Sequence, residues 1–301
     1  MSKRSILHML DPMPHNSPFD VNMALDAGFD VLMPYNTVKI DNVYRLVQDA
    51  IFSRGPSGVK QTALFIGGRD LGLAMDMLTI CKQAMVPPFE ISVLVDPSGA
   101  FTTAAALVAC VEKQLKITHG KTLSDCTALV FGGTGPVGIA TGIIASLAGA
   151  DVALVDHLLL DTADDAAKEY NRRFGCTLRG AVATNAAEKA ALITDVDLIF
   201  CTAKAGIQVL SADMLQGAKQ LKVVGDVNAV PPMGIEGVDA KDFGAPLTAA
   251  IHSPNAVAVG ALAVGNVKYK LQQALLKAML ETDKPLYLDF RSAFAKASEI
   301  L

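Results

Sequence analysis

Three glycines and one aspartate form the combination in this sequence with the clearest chemical meaning. Gly133, Gly135 and Gly138 have the spacing G-x-G-x-x-G, and Asp156 follows 23 residues after the first of them. Glycines in this pattern let the chain turn tightly, approach a pyrophosphate and pack a helix against a strand, while the acidic residue accepts hydrogen bonds from a ribose. The pattern predicts a dinucleotide site. A carboxylate at position 156 would repel a 2′-phosphate, which favours NAD over NADP.

The neighbouring segments are those that such a site requires. Residues 127–131 form an apolar run that predicts a buried strand, 139–148 predict a helix, and the β-rich run 151–155 ends at Asp156. The N–H groups at the start of the helix would bind the phosphates. The alternative is a glycine turn in an α/β protein that binds no nucleotide, and it leaves the acidic end of the second strand unexplained.

The predicted cofactor site also includes residues next to the glycines and in the loops after later strands. Its members are Gly133, Thr134, Gly135, Pro136, Val137, Gly138, Asp156, His157, Thr202, Ala203, Asp226 and Asn228.

The composition excludes several classes of function. The chain has 301 residues, of which 51% are hydrophobic, and its net charge of −4 argues against a nucleic-acid partner. No apolar run is long enough to span a membrane and the N-terminus lacks a signal peptide, so we expect a cytoplasmic protein without a membrane partner. The five cysteines and five histidines lack metal-ligand spacing, and no metal is expected.

Strand-like and helix-like segments alternate along the chain, which is typical of α/β architecture with parallel sheets. We predict an N-terminal α/β domain at residues 1–100 and a Rossmann-type dinucleotide-binding domain at 101–301. A substrate cleft is expected between them, and a C-terminal helix is expected to pack back on the first domain. Predicted helices include one capped by Asp41, one that starts at Thr102 and one that starts at Gly265. Residues 284–291 are expected to be extended.

Several segments outside the generic nucleotide fold resemble the methylene-tetrahydromethanopterin dehydrogenases of methylotrophic bacteria. They are residues 17–22 (SPFDVN), 49–55 (DAIFSRG), 101–103 (FTT), 226–232 (DVNAVPP) and 265–268 (GNVK). The resemblance covers nearly the whole chain. It implies a homo-oligomeric enzyme of one-carbon metabolism that oxidises the methylene group of a reduced pterin to a methenyl group during formaldehyde oxidation, with NAD or NADP as hydride acceptor. Asp156 departs from the NADP-using members, which lack an acidic residue there, so NADP is expected to be the weaker cofactor.

This chemistry needs no general base, metal or covalent nucleophile. The reacting carbon lies between two nitrogens, so loss of hydride leaves a cation that the nitrogen lone pairs stabilise. The protein has only to align the carbon with the nicotinamide and to tolerate the new positive charge.

The resemblance implies that Lys268 is the active-site lysine, and we assign Asp20 as a second catalytic residue. The predicted substrate-binding residues are Phe19, Ser98, Thr102, Thr103 and Asn228. Structural alternatives stay open for most of them. Lys268 would be a solvated residue at the start of a helix, and Asp20 would only begin one. The two threonines would be helix caps, and Asn228 would satisfy a turn.

Two other functions stay open. A methylene-tetrahydrofolate dehydrogenase acts on the same imidazolidine ring, and the two pterins differ mainly in their distal arms and ring methyl groups. A redox sensor that binds NAD(H) without catalysis is a different class of protein, and the specific loops argue against it.

Overall fold

The computed structural model describes residues 3–301, in which helices and strands alternate throughout. The strands are β1 (Ile6–Leu10), β2 (Val31–Tyr35), β3 (Thr62–Ile66), β4 (Ser92–Val95), β5 (Thr127–Phe131), β6 (Asp151–Asp156), β7 (Leu178–Val182), β8 (Leu198–Cys201), β9 (Val223–Asp226), β10 (Phe243–Pro246), β11 (Val257–Val259) and β12 (Tyr287–Leu288). The helices are α1 (Pro18–Asp26), α2 (Ile40–Phe52), α3 (Pro56–Val59), α4 (Leu71–Ala84), α5 (Ala100–His119), α6 (Pro136–Leu147), α7 (Leu160–Phe174), α8 (Ala186–Leu192), α9 (Ala212–Leu215), α10 (Ala261–Glu281) and α11 (Phe290–Ile300).

The chain divides into two compact units. The first contains the residues up to Thr102 together with Tyr269–Lys296, and the second contains Thr103–Lys268 with Ala297–Leu301. Neither of them is one continuous segment, because part of the C-terminal region belongs to the first unit.

The first unit contains a parallel five-stranded sheet in the order β12-β4-β3-β1-β2. Every residue of β3 and β4 is buried, which explains why their sequences, TALFI and SVLV, lack the alternation of a half-exposed strand. β2 is an edge strand, a position at which the missing N–H of Pro34 is tolerated.

The second unit contains a seven-stranded sheet in the order β10-β11-β9-β8-β5-β6-β7. All its strands are parallel except β10, which is antiparallel to β11. Without β10, the other six strands lie in the order β7-β6-β5-β8-β9-β11, which is the 3-2-1-4-5-6 order of a Rossmann fold. The predicted fold class is confirmed. Between β5 and β8 the strand order reverses direction, and ligands of such sheets bind beyond the carboxyl ends of the strands at that point.

Several predicted element boundaries are wrong. The N-cap of α2 is Lys39, and Asp41 lies inside the first turn. α5 begins at Ala100 rather than Thr102, and α10 begins at Ala261 rather than Gly265. The expected extended segment 284–291 contains only the two-residue strand β12, because α11 already begins at Phe290. None of the described helices is both long and apolar enough to cross a membrane.

Candidate active site

The turn between β5 and α6 depends on its first two glycines in different ways. Gly132 has a φ of 72°, in the left-handed region that glycine adopts without strain. The tight turn was predicted at Gly133, but it is Gly132 that adopts the turn conformation. A Cβ atom on Gly133 would lie 2.7 Å from the carbonyl oxygen of Val130 and 2.8 Å from Cα of Leu154, so Gly133 is required for close packing against β6.

The other two glycines shape the start of α6. A Cβ atom on Gly138 would collide with the carbonyl oxygen of Gly132 and lie 2.8 Å from the hydroxyl of Thr202. A Cβ atom on Gly135 would meet only the carbonyl oxygen of Gly132, at 3.4 Å. Gly135 is the N-cap of α6, and no side chain caps the helix there. The first-turn N–H groups, including that of Val137 after Pro136, lack partners within the helix. This open, donor-lined surface fits the pyrophosphate of a dinucleotide.

Asp156 ends β6 with its carboxylate held on both oxygens. Oδ1 accepts hydrogen bonds from the N–H groups of Leu158 at 2.8 Å and Leu159 at 3.0 Å, and Oδ2 accepts one from the hydroxyl of Thr134 at 2.8 Å. Burial acts to raise the pKa of Asp156, but these hydrogen bonds and the charge of His157 outweigh it and hold the pKa below its ordinary value. The side chain is therefore an anion at neutral pH. His157 is exposed beside it.

The loop after β8 packs directly on the glycine turn. The hydroxyl of Thr202 donates to the carbonyl oxygens of Phe131 at 2.9 Å and Gly132 at 3.3 Å. A Cβ atom on Gly132 would lie 2.7 Å from the backbone nitrogen of Ala203. The structure thus brings Thr202 and Ala203 to the glycine turn at the switch point, as the rule for parallel sheets requires.

Asp226 also lies at the carboxyl end of a parallel strand, β9, but its side chain is buried. It is 1% exposed, and it accepts hydrogen bonds at 2.9 Å from the N–H groups of Asn228 and Ile235. Burial raises the pKa of Asp226 in spite of these bonds. The carboxyl group therefore holds the 226–235 loop in shape and does not face a ligand directly.

Asn228 has a similar bracing role. Its amide oxygen accepts hydrogen bonds from the N–H groups of Gly206 at 3.1 Å and Val230 at 2.9 Å, and its amide nitrogen donates to the carbonyl oxygen of Pro232 at 2.8 Å. The residue is 3% exposed. Of the two roles considered for Asn228, the structure shows the one that satisfies a turn. It links this turn to the loop that follows β8.

In the first unit, Asp20 lies in the first turn of α1 and is 5% exposed. Its Oδ1 accepts a hydrogen bond of 2.7 Å from Nε2 of Gln272, which is fully buried on α10. Phe19, the preceding residue, is 48% exposed. Sequence reasoning missed Gln272, because a glutamine inside a helix carries no motif. The only signal was its position four residues after Lys268, on the same helix face.

Lys268 lies two turns into α10 and is half-buried. The alternative of a solvated lysine at the start of a helix is wrong, because α10 begins seven residues earlier. Lys268 and Gln272 are one turn apart and project from one side of the helix.

Ser98 and Thr103 differ from Thr102 in their accessibility. Ser98 is exposed and has a φ of 52°, a strained value for a residue other than glycine. Its hydroxyl donates to the carbonyl oxygen of Gly68 at 2.7 Å, and Thr103 is half-buried. Both keep part of their surface open to solvent.

The prediction that Thr102 binds substrate is wrong. Thr102 is 0% exposed, and its hydroxyl donates to Oδ2 of Asp96 at 2.6 Å. Oδ1 of Asp96 accepts the N–H groups of Phe101 at 3.0 Å and Thr102 at 3.1 Å, so Asp96 caps the start of α5. The position of an aspartate between a buried strand and a helix was the signal for this cap.

No group of three or more His, Cys, Asp or Glu side chains that could hold a metal ion occurs within residues 3–301.

Comparisons with known proteins identify the family of the chain. The family model described as "Methylene-tetrahydromethanopterin dehydrogenase, N-terminal" matches residues 18–98. The NAD(P)-dependent methylenetetrahydromethanopterin dehydrogenase of Methylorubrum extorquens is 45% identical over 297 residues, which is 99% of both chains. A second protein of that organism, the bifunctional protein MdtA, is 32% identical over 300 residues and 100% of both chains.

Two solved structures share the fold at low identity. Shikimate 5-dehydrogenase from Listeria monocytogenes has a TM-score of 0.51 at 13% identity, over 99% of this chain and 96% of that one. The 5-ketofructose reductase of a Gluconobacter strain has a TM-score of 0.50 at 12% identity, over 99% of both chains. At such identities the likeness establishes the architecture alone.

Proposed function

Because the chain belongs to the methylenetetrahydromethanopterin dehydrogenase family, we propose that it oxidises methylene-tetrahydromethanopterin to methenyl-tetrahydromethanopterin with NAD(P). The observation that carries the proposal is the 45% identity over 99% of both chains to a relative of that name. The open surface at Gly135 supports the dinucleotide part of the proposal, because it leaves room for a pyrophosphate.

NAD is proposed as the preferred cofactor and NADP as the weaker one. The carboxylate of Asp156 is charged and is fixed in place by Thr134, Leu158 and Leu159. A 2′-phosphate next to this anion would be repelled, whereas ribose hydroxyls would donate to it. The exposed ring of His157 is proposed to line the adenosine pocket.

NAD(P)+, when bound, supplies the hydride acceptor. The tasks left to the chain are to hold the pterin at the right distance and to accommodate the positive charge that forms on its ring. We assign the second task to Asp20, because Gln272 fixes the orientation of its carboxyl group. Phe19 is assigned a stacking contact with the pterin, since half of its surface is open. Lys268 is assigned a hydrogen bond that positions the pterin ring.

Ser98 and Thr103 complete the proposed substrate contacts. We further propose that the first unit binds the pterin and the second unit the cofactor. The boundary predicted at residue 100 lies two residues before that of the units, and residues 269–296 belong to the first unit rather than to the cofactor domain. The enzyme is proposed to work as a homo-oligomer in the cytoplasm, within one-carbon metabolism and formaldehyde oxidation. The resemblance of the chain to enzymes of methylotrophic bacteria supports these points.

Steady-state kinetics with purified protein test the function. Methylene-tetrahydromethanopterin and methylene-tetrahydrofolate are each assayed with NAD and with NADP. We expect the highest kcat/KM with the first pterin and NAD. Absence of turnover with both pterins, in a protein that binds NADH, would instead identify a sensor. Higher kcat/KM with methylene-tetrahydrofolate would overturn the substrate assignment alone.

A further inference from the structure

A polar cavity of about 420 Å³ lies in the first unit, beside the carboxyl end of β2. Its lining comes from the loop after β2 and from one side of α2: Tyr35, Asn36, Thr37, Val38, Asn42, Arg45, Leu46 and Asp49. The helical members follow the spacing i, i+3, i+4, i+7, which places side chains on one helix face. None of these residues has a role in the proposed chemistry.

Two lining side chains have hydrogen-bond donors to offer. The guanidinium of Arg45 and the amide of Asn42 are exposed, and neither makes a hydrogen bond or ion pair with any residue from 3 to 301. An arginine beside an amide suits a carboxylate or a phosphate, because the planar fork of the guanidinium can donate two parallel hydrogen bonds. Asp49, one turn after Arg45, is the only acidic residue of the lining.

The part of the lining outside α2 is a tightly held loop. The amide oxygen of Asn36 accepts a hydrogen bond of 2.7 Å from Asn16, and the N–H of Thr37 donates to the carbonyl oxygen of Met13 at 2.8 Å. Thr37 has a φ of 50°, which is strained for a β-branched residue. Thr37 and Ser98 are the only residues other than glycine that have a positive φ in the described part of the chain. Both follow strands of the first sheet at its carboxyl edge, where parallel sheets bind ligands.

The loop also limits how far the cavity lies from Asp20. Asn16, which contacts the cavity wall, precedes Asp20 by four residues, and four residues span at most about 14 Å. An elongated ligand held at Asp20 can therefore reach the cavity. The reduced pterins that carry one-carbon units are elongated, with the reacting ring at one end and an acidic arm at the other.

We propose that this cavity binds the acidic arm of the reduced pterin, with Arg45 and Asn42 as the donors. The inference rests on the proposed function and assigns a second substrate-binding site to it. Because hydride transfer does not change the arm, we expect this contact to be equally strong in the ground state and the transition state. It therefore sets KM for the pterin and leaves kcat unchanged.

The test is the kinetics of Arg45→Gln with two substrates, methylene-tetrahydromethanopterin and a methylene pterin truncated before its acidic arm. With the full substrate, KM should rise about tenfold at unchanged kcat and unchanged KM for NAD, since one charge-assisted contact is lost. With the truncated substrate, Arg45→Gln and wild type should have the same KM. Asp49→Asn removes a repulsive charge and should lower KM for the full substrate only.

Arg172→Gln is the matched control, because Arg172 is an exposed arginine on α7 in the other unit. It should leave both KM values at the wild-type level. An unchanged KM of Arg45→Gln for the full substrate would overturn the proposal, as would an equal rise for the truncated one. Inorganic phosphate is also tested as an inhibitor. If it inhibits turnover of the full and the truncated substrate equally, and if Arg45→Gln abolishes this inhibition, the cavity is a separate phosphate site and the proposal is overturned. A wild type without pterin turnover would instead refute the proposed function.

Discussion

The hydroxyl of Thr134 in the glycine turn donates a 2.8 Å hydrogen bond to Oδ2 of Asp156 at the end of β6. The two N–H groups that follow β6, those of Leu158 and Leu159, hold the other oxygen. The orientation of the carboxylate is therefore set by the fold before a cofactor binds. We therefore propose that cofactor preference depends on this arrangement as well as on the presence of an acidic residue.

Asp156→Ala should shift the ratio of kcat/KM values for NAD and NADP by at least about tenfold toward NADP. The reason is that repulsion of the 2′-phosphate by a nearby carboxylate is lost. Thr134→Val, which removes one hydrogen bond and keeps the charge, should shift the ratio in the same direction by less. A wild type that uses NADP as well as or better than NAD would contradict the role assigned to Asp156.

The same ratio should not vary between pH 7 and 9. The pKa of Asp156 lies below its ordinary value of 3.8, so the carboxylate is fully charged above about pH 5. The hydrogen bonds to the carboxylate also stabilise the folded protein. This stabilisation is complete at any pH above the ordinary pKa of an aspartate and is lost only as the pH falls through the lowered pKa of Asp156. The 2′-phosphate is also ionised above about pH 7. A ratio that changes steeply over this range would show that another titrating group sets the preference.

Gly135→Val should abolish NADH binding in a protein that stays folded. A Cβ atom at this position makes only an ordinary contact, with the carbonyl oxygen of Gly132 at 3.4 Å, so the side chain would occupy the space of the pyrophosphate without displacing protein atoms. Gly138→Val is the comparison, because its Cβ would collide with Gly132 and unfold the turn. Circular dichroism and NADH titration distinguish the two. Tight NADH binding by folded Gly135→Val would show that the phosphates bind elsewhere.

The sequence predicted the parts of the fold that are local in the chain. The strand, glycine turn, helix and second strand around Gly133 occupy about thirty consecutive residues, and each of them has its own signal in apolar runs, glycines or an acidic end. The strand order of the second sheet has no such local signal, and it comes from the structure.

Contacts between distant residues could not be predicted in this way. Asp20 and Gln272 are 252 positions apart, and neither residue type indicates the other. Thr102 was misassigned for a related reason: a threonine at the start of a helix has the same sequence signal whether its hydroxyl faces a ligand or a buried carboxyl group. Only the three-dimensional placement of Asp96 decides between them.

Thr102→Val should lower the free energy of unfolding by about 1–3 kcal/mol, because it removes the hydroxyl that donates to buried Asp96 while nearly preserving volume. KM for the pterin should not change, since the side chain is inaccessible to substrate. Denaturant unfolding and steady-state kinetics on the same preparation give both quantities. Thr102→Ser, which retains the hydroxyl, is the control. A raised KM with normal stability would restore Thr102 to the substrate site.

Lys268→Ala tests the residue on which the proposed mechanism depends most. Oxidation of the methylene group releases a hydride and no proton, so the lysine is not needed as an acid or a base. If it positions the ring, its loss lets the reacting carbon shift, and a displacement of about 1 Å can reduce the rate by about a hundredfold. We therefore expect kcat to fall by about that factor.

NADH affinity should survive in Lys268→Ala, because the residue is assigned to the pterin and not to the dinucleotide. Lys270→Ala is the matched control, since Lys270 is an exposed lysine two residues further along α10 and points in a different direction. Its kcat should equal that of wild type. Equal kcat in both variants would show that Lys268 has no part in positioning the pterin, whereas equal losses would indicate that the charge of the helix matters and not the position of one ammonium group.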